Sequence, residues 1–479
     1  MTDMRAEDQD TPGVVISRAW AVWLVTTACF LVINAVLLLA QGRQFFSNYI
    51  QAGPQSSTPL TMASVGLAWL SLGAALVVLK KPAFRKRYGF STICGLAVAL
   101  LYINLCRERP HWGDLNVYVQ AATDLVAGNH FSRVYLYPPL LASLLEPLVR
   151  FGPMLVAAVF WVCNMLALIV FYALLVAALG RYGFSQRLSA LVTMSFMVVN
   201  VPVMRTLFYG QVNLHVTNLM LIALVAYPGV PALSALALAL AVHIKVSPIV
   251  LALPFIMAKD KKWIAWFVLF LAALAGITLV GHGTEPFRDF VTNITSVYST
   301  TGINFRQNSV DSLVRSTALV LGVPVEKVLP VTLALKGVLL VLLLATVFVC
   351  AKRKSFRAEG PGAVVMNTTP ALLLLMLIAS PLIWEHHPVF VALTFLVIIR
   401  KLETPSEWVL YGFAYFLEYV VPTFDFFPWS FGRLLGALLV GLLLYRASGR
   451  GGAGPFVVKA ERYLDLLDDA GLNHARRQP

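Results

Sequence analysis

Long apolar runs, broken by short charged or aromatic turns, set the pattern of this chain. Runs near the roughly 20 residues that a helix needs to cross a bilayer fall at about 19–41, 60–80, 88–105, 153–178, 188–204, 211–227, 263–281, 330–350, 368–384, 387–401, 407–422 and 429–446. Several are short. The stretch 231–257 is ambiguous, because HIKVSP at 243–248 interrupts it with a histidine, a lysine and the helix-breaking Pro248. The pattern predicts an all-α, polytopic membrane protein.

Composition sharpens this reading. With 59% hydrophobic and 13% charged residues and a mean hydropathy of +0.77, the chain lies far from the roughly 25% charged residues of an ordinary soluble domain. The formal net charge of +14 sits in short clusters between apolar runs, where it orients helices rather than forming a nucleic-acid face. Cys29, Cys94, Cys106, Cys163 and Cys350 are scattered with no CxxC pair, so neither a disulfide framework nor a thiolate metal site is indicated. The N-terminal segment 1–18 opens MTDMRAEDQDTPG, too acidic for the charged region of a secretory signal, and is expected to stay in the cytoplasm.

Charge placement predicts the topology, since cytoplasmic loops collect Lys and Arg near helix ends. The clusters KKPAFRKR (80–87), RYGFSQR (181–187), KDKK (259–262), KRKSFR (352–357), RK (400–401) and the basic tail after Leu444 should all lie inside. They can share one side only if 231–257 is a hairpin of two short helices with its HIKVSP tip pointing outward. The hairpin brings the crossings to about 12–14. It defines a transmembrane domain over 19–446, external loops at 106–152 and 282–328, and a basic, amphipathic cytoplasmic tail at 447–479. The Asp114 loop, the RTLFYGQ turn at 205–211, His243 and Lys245 at the tip, RQNS at 306–309, EHH at 385–387 and Asp425 then all fall on the outer face.

The polar, aromatic stretch Cys106–Pro139 stands out from its apolar surroundings. Chemistry on a hydroxyl needs a carboxylate or imidazole within hydrogen-bond reach of its oxygen, to take the proton. Asp114, flanked by Trp112 and Gly113, can serve; it can equally cap the start of the helix that carries Tyr118. Asp124 is the rival carboxylate, set lower because it falls within that helix. A phosphate-bearing donor needs cations, for which Lys245, His243, Arg205 and Arg306 are candidates, the guanidinium fork suiting phosphate best. Charges at membrane depth are costly and usually functional, although Lys245 can snorkel and Arg205 can anchor at an interface. Gln211 and Asn213 can bond sugar hydroxyls or cap a helix, and Trp112, Tyr118, Tyr135 and Tyr137 can stack on sugar faces or anchor at the interface.

Two tempting motifs fail on physical grounds. Adjacent helical residues point about 100° apart, so Glu385, His386 and His387 cannot easily share one ion, and no HExxH spacing exists. Proton handling or phosphate contact by one histidine is the better reading. GRGGAG at 449–454 matches GxGxxG literally, but it follows an apolar helix with no βαβ unit around it and reads as a linker to the amphipathic stretch FVVKAERYLDLLDDAGL. An external polar face with no soluble nucleotide-binding domain has no access to cytoplasmic nucleotides.

The spacing Asp114, Tyr118, Gly128, Tyr135 and YPP at 137–139 resembles the first large loop of the GT-C glycosyltransferases, most closely glycosyltransferase family 87. That family includes polyprenol-phosphate-mannose-dependent mannosyltransferases of actinobacterial envelopes, and arabinofuranosyltransferases. YGQVNLHVTNLMLIALVAY at 209–227 resembles its Tyr-Gly-Gln-x-Asn helix start, AVHIKVSPIVLALP its Lys-x-x-Pro element and RQNSVDSL its Asn-Ser segment. SPLIWEHHPVF at 380–390 is similar to its Ser-Pro-x-x-Trp-x-x-His element, with His387 at the recurrent histidine. The likeness spans about 100–400; the first hundred residues depart from it by placing extra spans before the Asp114 loop.

The resemblance implies an inverting transferase, with Asp114 as base. Lys245, Arg306, Arg205 and His387 would hold the donor phosphate, and Trp112, Tyr118, Tyr137, Tyr209, Gln211, Asn213, Gln307, Asn308 and His386 would contact sugar or acceptor. It implies a polyprenyl-phosphate sugar donor, a glycolipid or glycan acceptor, no metal or other cofactor, and a site on the extracytoplasmic side of the inner membrane. Phosphate is a good leaving group, so electrostatic stabilisation should outweigh a general acid. A transporter or flippase also predicts an interrupted helix pair and intramembrane charges, but no internal repeat is visible and the polar segments cluster on one side. A structural envelope subunit is a third reading, in which Asp114→Asn changes nothing.

Overall fold

The computed structural model describes residues 12–41, 58–106, 113–300, 307–352, 360–422, 427–448, 450 and 452–476. Trp112, Arg306 and Asp425 lie outside the described residues. Among the described residues there are helices and turns and no strands, as expected for an all-α, multi-pass membrane protein. Eight of the described helices are long and apolar enough to cross a membrane, or nine if one pair bent by 65° counts as a single span. This is fewer than the 12–14 crossings read from the apolar runs, because polar and proline-containing breaks shorten some of them. The run 211–227 forms only Asn213–Ala226, and 231–257 divides into Pro231–Ile244 and Ser247–Met257.

The chain forms two compact units, Met1–Arg109 and Pro110–Pro479. The first holds α1 (Pro12–Gln41), α2 (Thr58–Lys80) and α3 (Pro82–Cys106). Tryptophans tie α1 to α2: Trp23 donates from Nε1 to the Trp69 carbonyl at 3.0 Å, and Trp69 donates from Nε1 to Thr27 Oγ1 at 2.8 Å. Val22, Val25, Phe30 and Leu31 on α1 are exposed. In water such a surface would be a liability; against hydrocarbon it needs no cover.

The second unit begins with α4 (Gly113–Ala127), α5 (Leu140–Val149), α6 (Pro153–Arg181), α7 (Gln186–Val198) and α8 (Val201–Phe208). Next come α9 (Asn213–Ala226), α10 (Pro231–Ile244), a 3-10 turn at Ser247–Ala252, α11 (Leu253–Met257) and α12 (Lys261–His282). α9 and α10 form a tight hairpin. Pro231 starts α10, where its missing N–H costs nothing, and Ser234 Oγ donates to the Ala223 carbonyl while accepting from Trp263 Nε1 at 2.9 Å. α10 stops at Lys245, whose backbone is extended, and Pro248 lies in the following 3-10 turn. The break therefore falls inside HIKVSP.

The two long polar loops are helical and joined to each other. The second contains α13 (Glu285–Thr300), α14 (Val310–Val320) and a 3-10 turn at Val325–Val328. From α13, Asp289 accepts from the Phe131 N–H at 2.8 Å, and Asn293 donates to the carbonyls of Ser132 and Tyr135 at 3.0 and 3.1 Å. These bonds hold the aromatic segment that follows α4.

The remainder comprises α15 (Leu329–Lys352), α16 (Pro361–Ala379), a 3-10 turn at His387–Val391, α17 (Ala392–Ile398), α18 (Pro405–Tyr415) with a π-turn at Phe416–Val420, α19 (Gly432–Ala447) and α20 (Pro455–Arg476). Thr404 and Glu407 form a reciprocal cap on α18, and Arg450 pairs with the Glu407 carboxylate at 2.6 Å. The amphipathic tail is α20, and it folds back: Glu461 accepts from the Ser185 N–H at 2.9 Å.

Candidate active site

The site is built around the turn between α8 and α9. Asn200 caps α8 by accepting from the Val203 N–H at 3.0 Å. Past the end of α8, Gly210 takes φ +66°, a left-handed conformation that a side chain would resist. The reversal lets the Gln211 N–H donate to the Thr206 carbonyl at 2.9 Å and buries the Gln211 side chain. It also presents the Tyr209 carbonyl to α4, where it accepts from the N–H groups of Asp114 and Leu115 at 3.2 and 3.3 Å. Two of the orphan amides of the first turn of α4 are thus satisfied by main chain. Asp114 stands within that turn, one residue after the helix begins, so it does not occupy the usual capping position.

One helical turn along, the Tyr118 hydroxyl donates to Gln211 Oε1 at 2.8 Å and lies 3.1 Å from the Tyr137 hydroxyl. Tyr137 is itself 3.4 Å from Gln211 Oε1. Lys245 comes in from the break after α10. Its Nζ donates to Asn213 Oδ1 at 3.1 Å and lies 2.9 Å from His387 Nε2, over the rings of Tyr137 and Phe390 at 5.7 and 5.0 Å. Asp114, Tyr118, Tyr137, Gln211, Asn213, Lys245 and His387 form one cluster drawn from α4, the loop after it, the 209–213 turn, the α10 break and the 380–391 segment.

Electrostatics binds the cluster further. Lys245 lies outside the apolar helices, and burial among protein groups pushes its amine down to about 7, against the pull of the nearby Asp114 charge. Burial and the same aspartate push the Tyr137 hydroxyl up to about 12. Tyr118 is raised well above the ordinary tyrosine value, first by burial, then by Tyr137 and Asp114. Asp114 therefore acts on three of its neighbours. Asn213 Nδ2 and His386 Nδ1 are buried and have no hydrogen-bond partner among the described residues, which leaves both open to a ligand.

A second ring of groups adjoins the first. Arg205 Nε lies 2.9 Å from Glu385 Oε1, so this guanidinium has a carboxylate of its own. The ring of His386 sits 4.8 Å from that of His387 and 6.1 Å from that of Tyr209. The three side chains of EHH diverge: Glu385 to Arg205, His386 to Tyr209, His387 to Lys245. His243 faces away, with Nε2 2.9 Å from the Leu271 carbonyl. Asp124 is buried in the last turn of α4 and accepts from Gln120 Nε2 at 2.8 Å. Gln307 and Asn308 are buried; the Asn308 N–H donates to the Ile383 carbonyl at 2.7 Å, joining this segment to 380–391.

Two charged residues escape a reading of the loops. Glu418 and Arg433 are 1% and 3% exposed, and with Asn308 they line a small cavity. Arg433 donates to the carbonyls of Glu418 and Val421 at 3.2 and 2.8 Å, and its charge helps hold the His386 ring well below the usual histidine range, behind burial and Lys245. The available signal is a lone arginine and a lone glutamate inside the apolar runs GRLLGALL and FLEYVV.

Removing a single hydroxyl tests the packing of the cluster. Tyr118→Phe deletes the donor to Gln211 Oε1 while keeping the ring, so the fold should persist and turnover should fall about 10-fold, near the 1.5 kcal/mol upper end for one hydrogen bond. Steady-state kinetics beside thermal unfolding of the detergent-solubilised protein checks this.

No curated protein matches the chain. The model of glycosyltransferase family 87 matches residues 135–381, a stretch that contains Tyr137, the Tyr-Gly-Gln turn, Asn213 and the Lys245 break. Matched over just over half of its length, this helical multi-pass chain belongs to glycosyltransferase family 87 and is a membrane glycosyltransferase.

Proposed function

We propose that the chain is an inverting transferase that moves a sugar, mannose before arabinose, from a polyprenyl-phosphate monosaccharide to a hydroxyl of a glycolipid or glycan. The observation that carries this reading is the placement of one carboxylate, Asp114, within electrostatic reach of one amine, Lys245, in a cluster otherwise made of hydroxyls, amides and rings.

On this reading the acceptor hydroxyl gives its proton to Asp114 as its oxygen attacks the anomeric carbon. The bond between that carbon and the phosphate oxygen breaks, its electron pair leaves with the phosphate, and the configuration inverts. Polyprenyl phosphate gains one negative charge in this step, and Lys245 is the cation best placed to meet it, with His387 behind it. Arg205 is the weaker phosphate candidate because Glu385 already pairs with it. Gln211, Asn213, Tyr118 and Tyr137 would face the sugar. No metal or other cofactor is required. The charge pattern of the loops supports an extracytoplasmic site in the inner membrane.

The test is transfer from radiolabelled polyprenyl-phosphate mannose into membrane glycolipids by the purified protein in liposomes, with the arabinose analogue in parallel. Label in a glycolipid from the first donor is expected; label only from the second corrects the sugar. Translocation of either donor across the liposome with no transfer would overturn the reading in favour of a flippase.

A further inference from the structure

His387 is fixed by two contacts at opposite ends of its ring. The Trp384 N–H donates to Nδ1 at 2.8 Å, and Nε2 lies 2.9 Å from Lys245 Nζ. An imidazole nitrogen that accepts from a backbone amide carries no proton, so the single proton of the neutral ring must be on Nε2. Turning the ring over would set carbons against both partners. Nε2–H therefore points at Lys245 Nζ. An ammonium has three donors and no lone pair, so that contact would oppose donor to donor, whereas an uncharged amine accepts the bond and still has hydrogens to give Asn213 Oδ1 at 3.1 Å.

We infer that Lys245 rests as an uncharged amine held by His387 Nε2–H, and that it takes up a proton from solvent when the phosphate of a lipid-linked sugar enters the site. The second half of this inference rests on the function proposed above. Among the described residues, the charged and titratable groups that face Lys245 are Asp114 from α4, Tyr137 from the loop after it, and His386 and His387 from the 380–391 segment. Of these, only the Asp114 carboxylate favours the ammonium, and burial outweighs it. The rings of Tyr137 and Phe390 lie close to Nζ, ready to hold a cation that has let go of His387. Before the donor binds, the protein thus avoids an unpaired buried ammonium, and the charge arises together with the anion that needs it.

Two measurements on the full-length protein in nanodiscs test this. First, competitive acetylation of lysines between about pH 6 and pH 10, read by mass spectrometry on the peptide that contains Lys245, should show a midpoint near 7 without donor, against the roughly 10.4 of an ordinary lysine. In His387→Gln the midpoint should rise by about one unit or more, because the amide oxygen can accept from an ammonium. Second, calorimetry of polyprenyl-phosphate mannose binding in buffers of different ionisation heat should show about one proton taken up at about pH 8 and almost none at about pH 6, the amine being charged already below its own midpoint. A phosphodiester does not titrate in that range, so the proton belongs to the protein. A Lys245 midpoint near the ordinary value, or donor binding at about pH 8 with no proton uptake, overturns the inference. The wild-type measurements decide it even if the variant does not fold. If the donor gives no binding heat while Lys245 still titrates near 7, the uncharged resting state stands and the proposed donor fails.

Discussion

Asp114→Asn is expected to lower sugar transfer about 10³-fold or more, within or beyond the 10²- to 10⁴-fold contribution of a positioned base. The carboxamide is nearly isosteric but cannot take the acceptor proton. The fold should be indifferent, because the bonds from the start of α4 to the Tyr209 carbonyl come from the main chain and survive the substitution. Donor should still bind, with its affinity above neutral pH weakened: losing the carboxylate removes a facing charge that raises the Lys245 amine. Single-turnover transfer measured beside thermal unfolding checks all three points. Equal transfer by the two proteins would reduce Asp114 to an ordinary first-turn residue.

Lys245→Met is the second large effect. The substitution nearly conserves volume, but it leaves Asn213 Oδ1 without its donor and His387 Nε2–H against a methyl group. Removing one preorganised group aimed at developing charge typically costs about 10²- to 10³-fold, or roughly 2.7–4 kcal/mol. Because the leaving phosphate carries more charge than the bound diester, kcat should fall further than KM for the donor rises. Lys245→Arg should not rescue it, since a guanidinium remains charged in proteins and cannot form the uncharged resting contact with His387. A kcat and KM comparison of the three proteins, at constant acceptor, checks the prediction.

Much of this was open to a reader of the chain alone, for local reasons. Gly210 and Pro248 punctuate backbone wherever they occur, so the turn before Asn213 and the break at Lys245 could be placed without coordinates. Lys245 and His387, separated by 142 positions, were both singled out, and they prove to be neighbours. Their contact and its direction could not be read, because which ring nitrogen accepts depends on the Trp384 amide. The partner of Arg205 was hidden for a similar reason: only the turn of the 380–391 segment brings Glu385 to α8. Glu418 and Arg433 escape a reading centred on loops, whereas the cost of burying charge makes a lone ionisable residue inside an apolar run the sharper signal. Hydropathy locates apolar runs but not the length of helix each sustains, so among the described residues eight helices reach spanning length, with one bent pair and four shorter apolar helices beside them.

The shared carbonyl of Tyr209 has a mechanical consequence. It anchors the very amide of Asp114, while Gln211, two residues further on, anchors Tyr118 one turn along the same face of α4. Base and amide are thereby clipped to a single jig at two points. Any displacement of this loop would carry the pair together, so on the proposed reading the gauge between the proton acceptor and the groups facing the sugar is held constant.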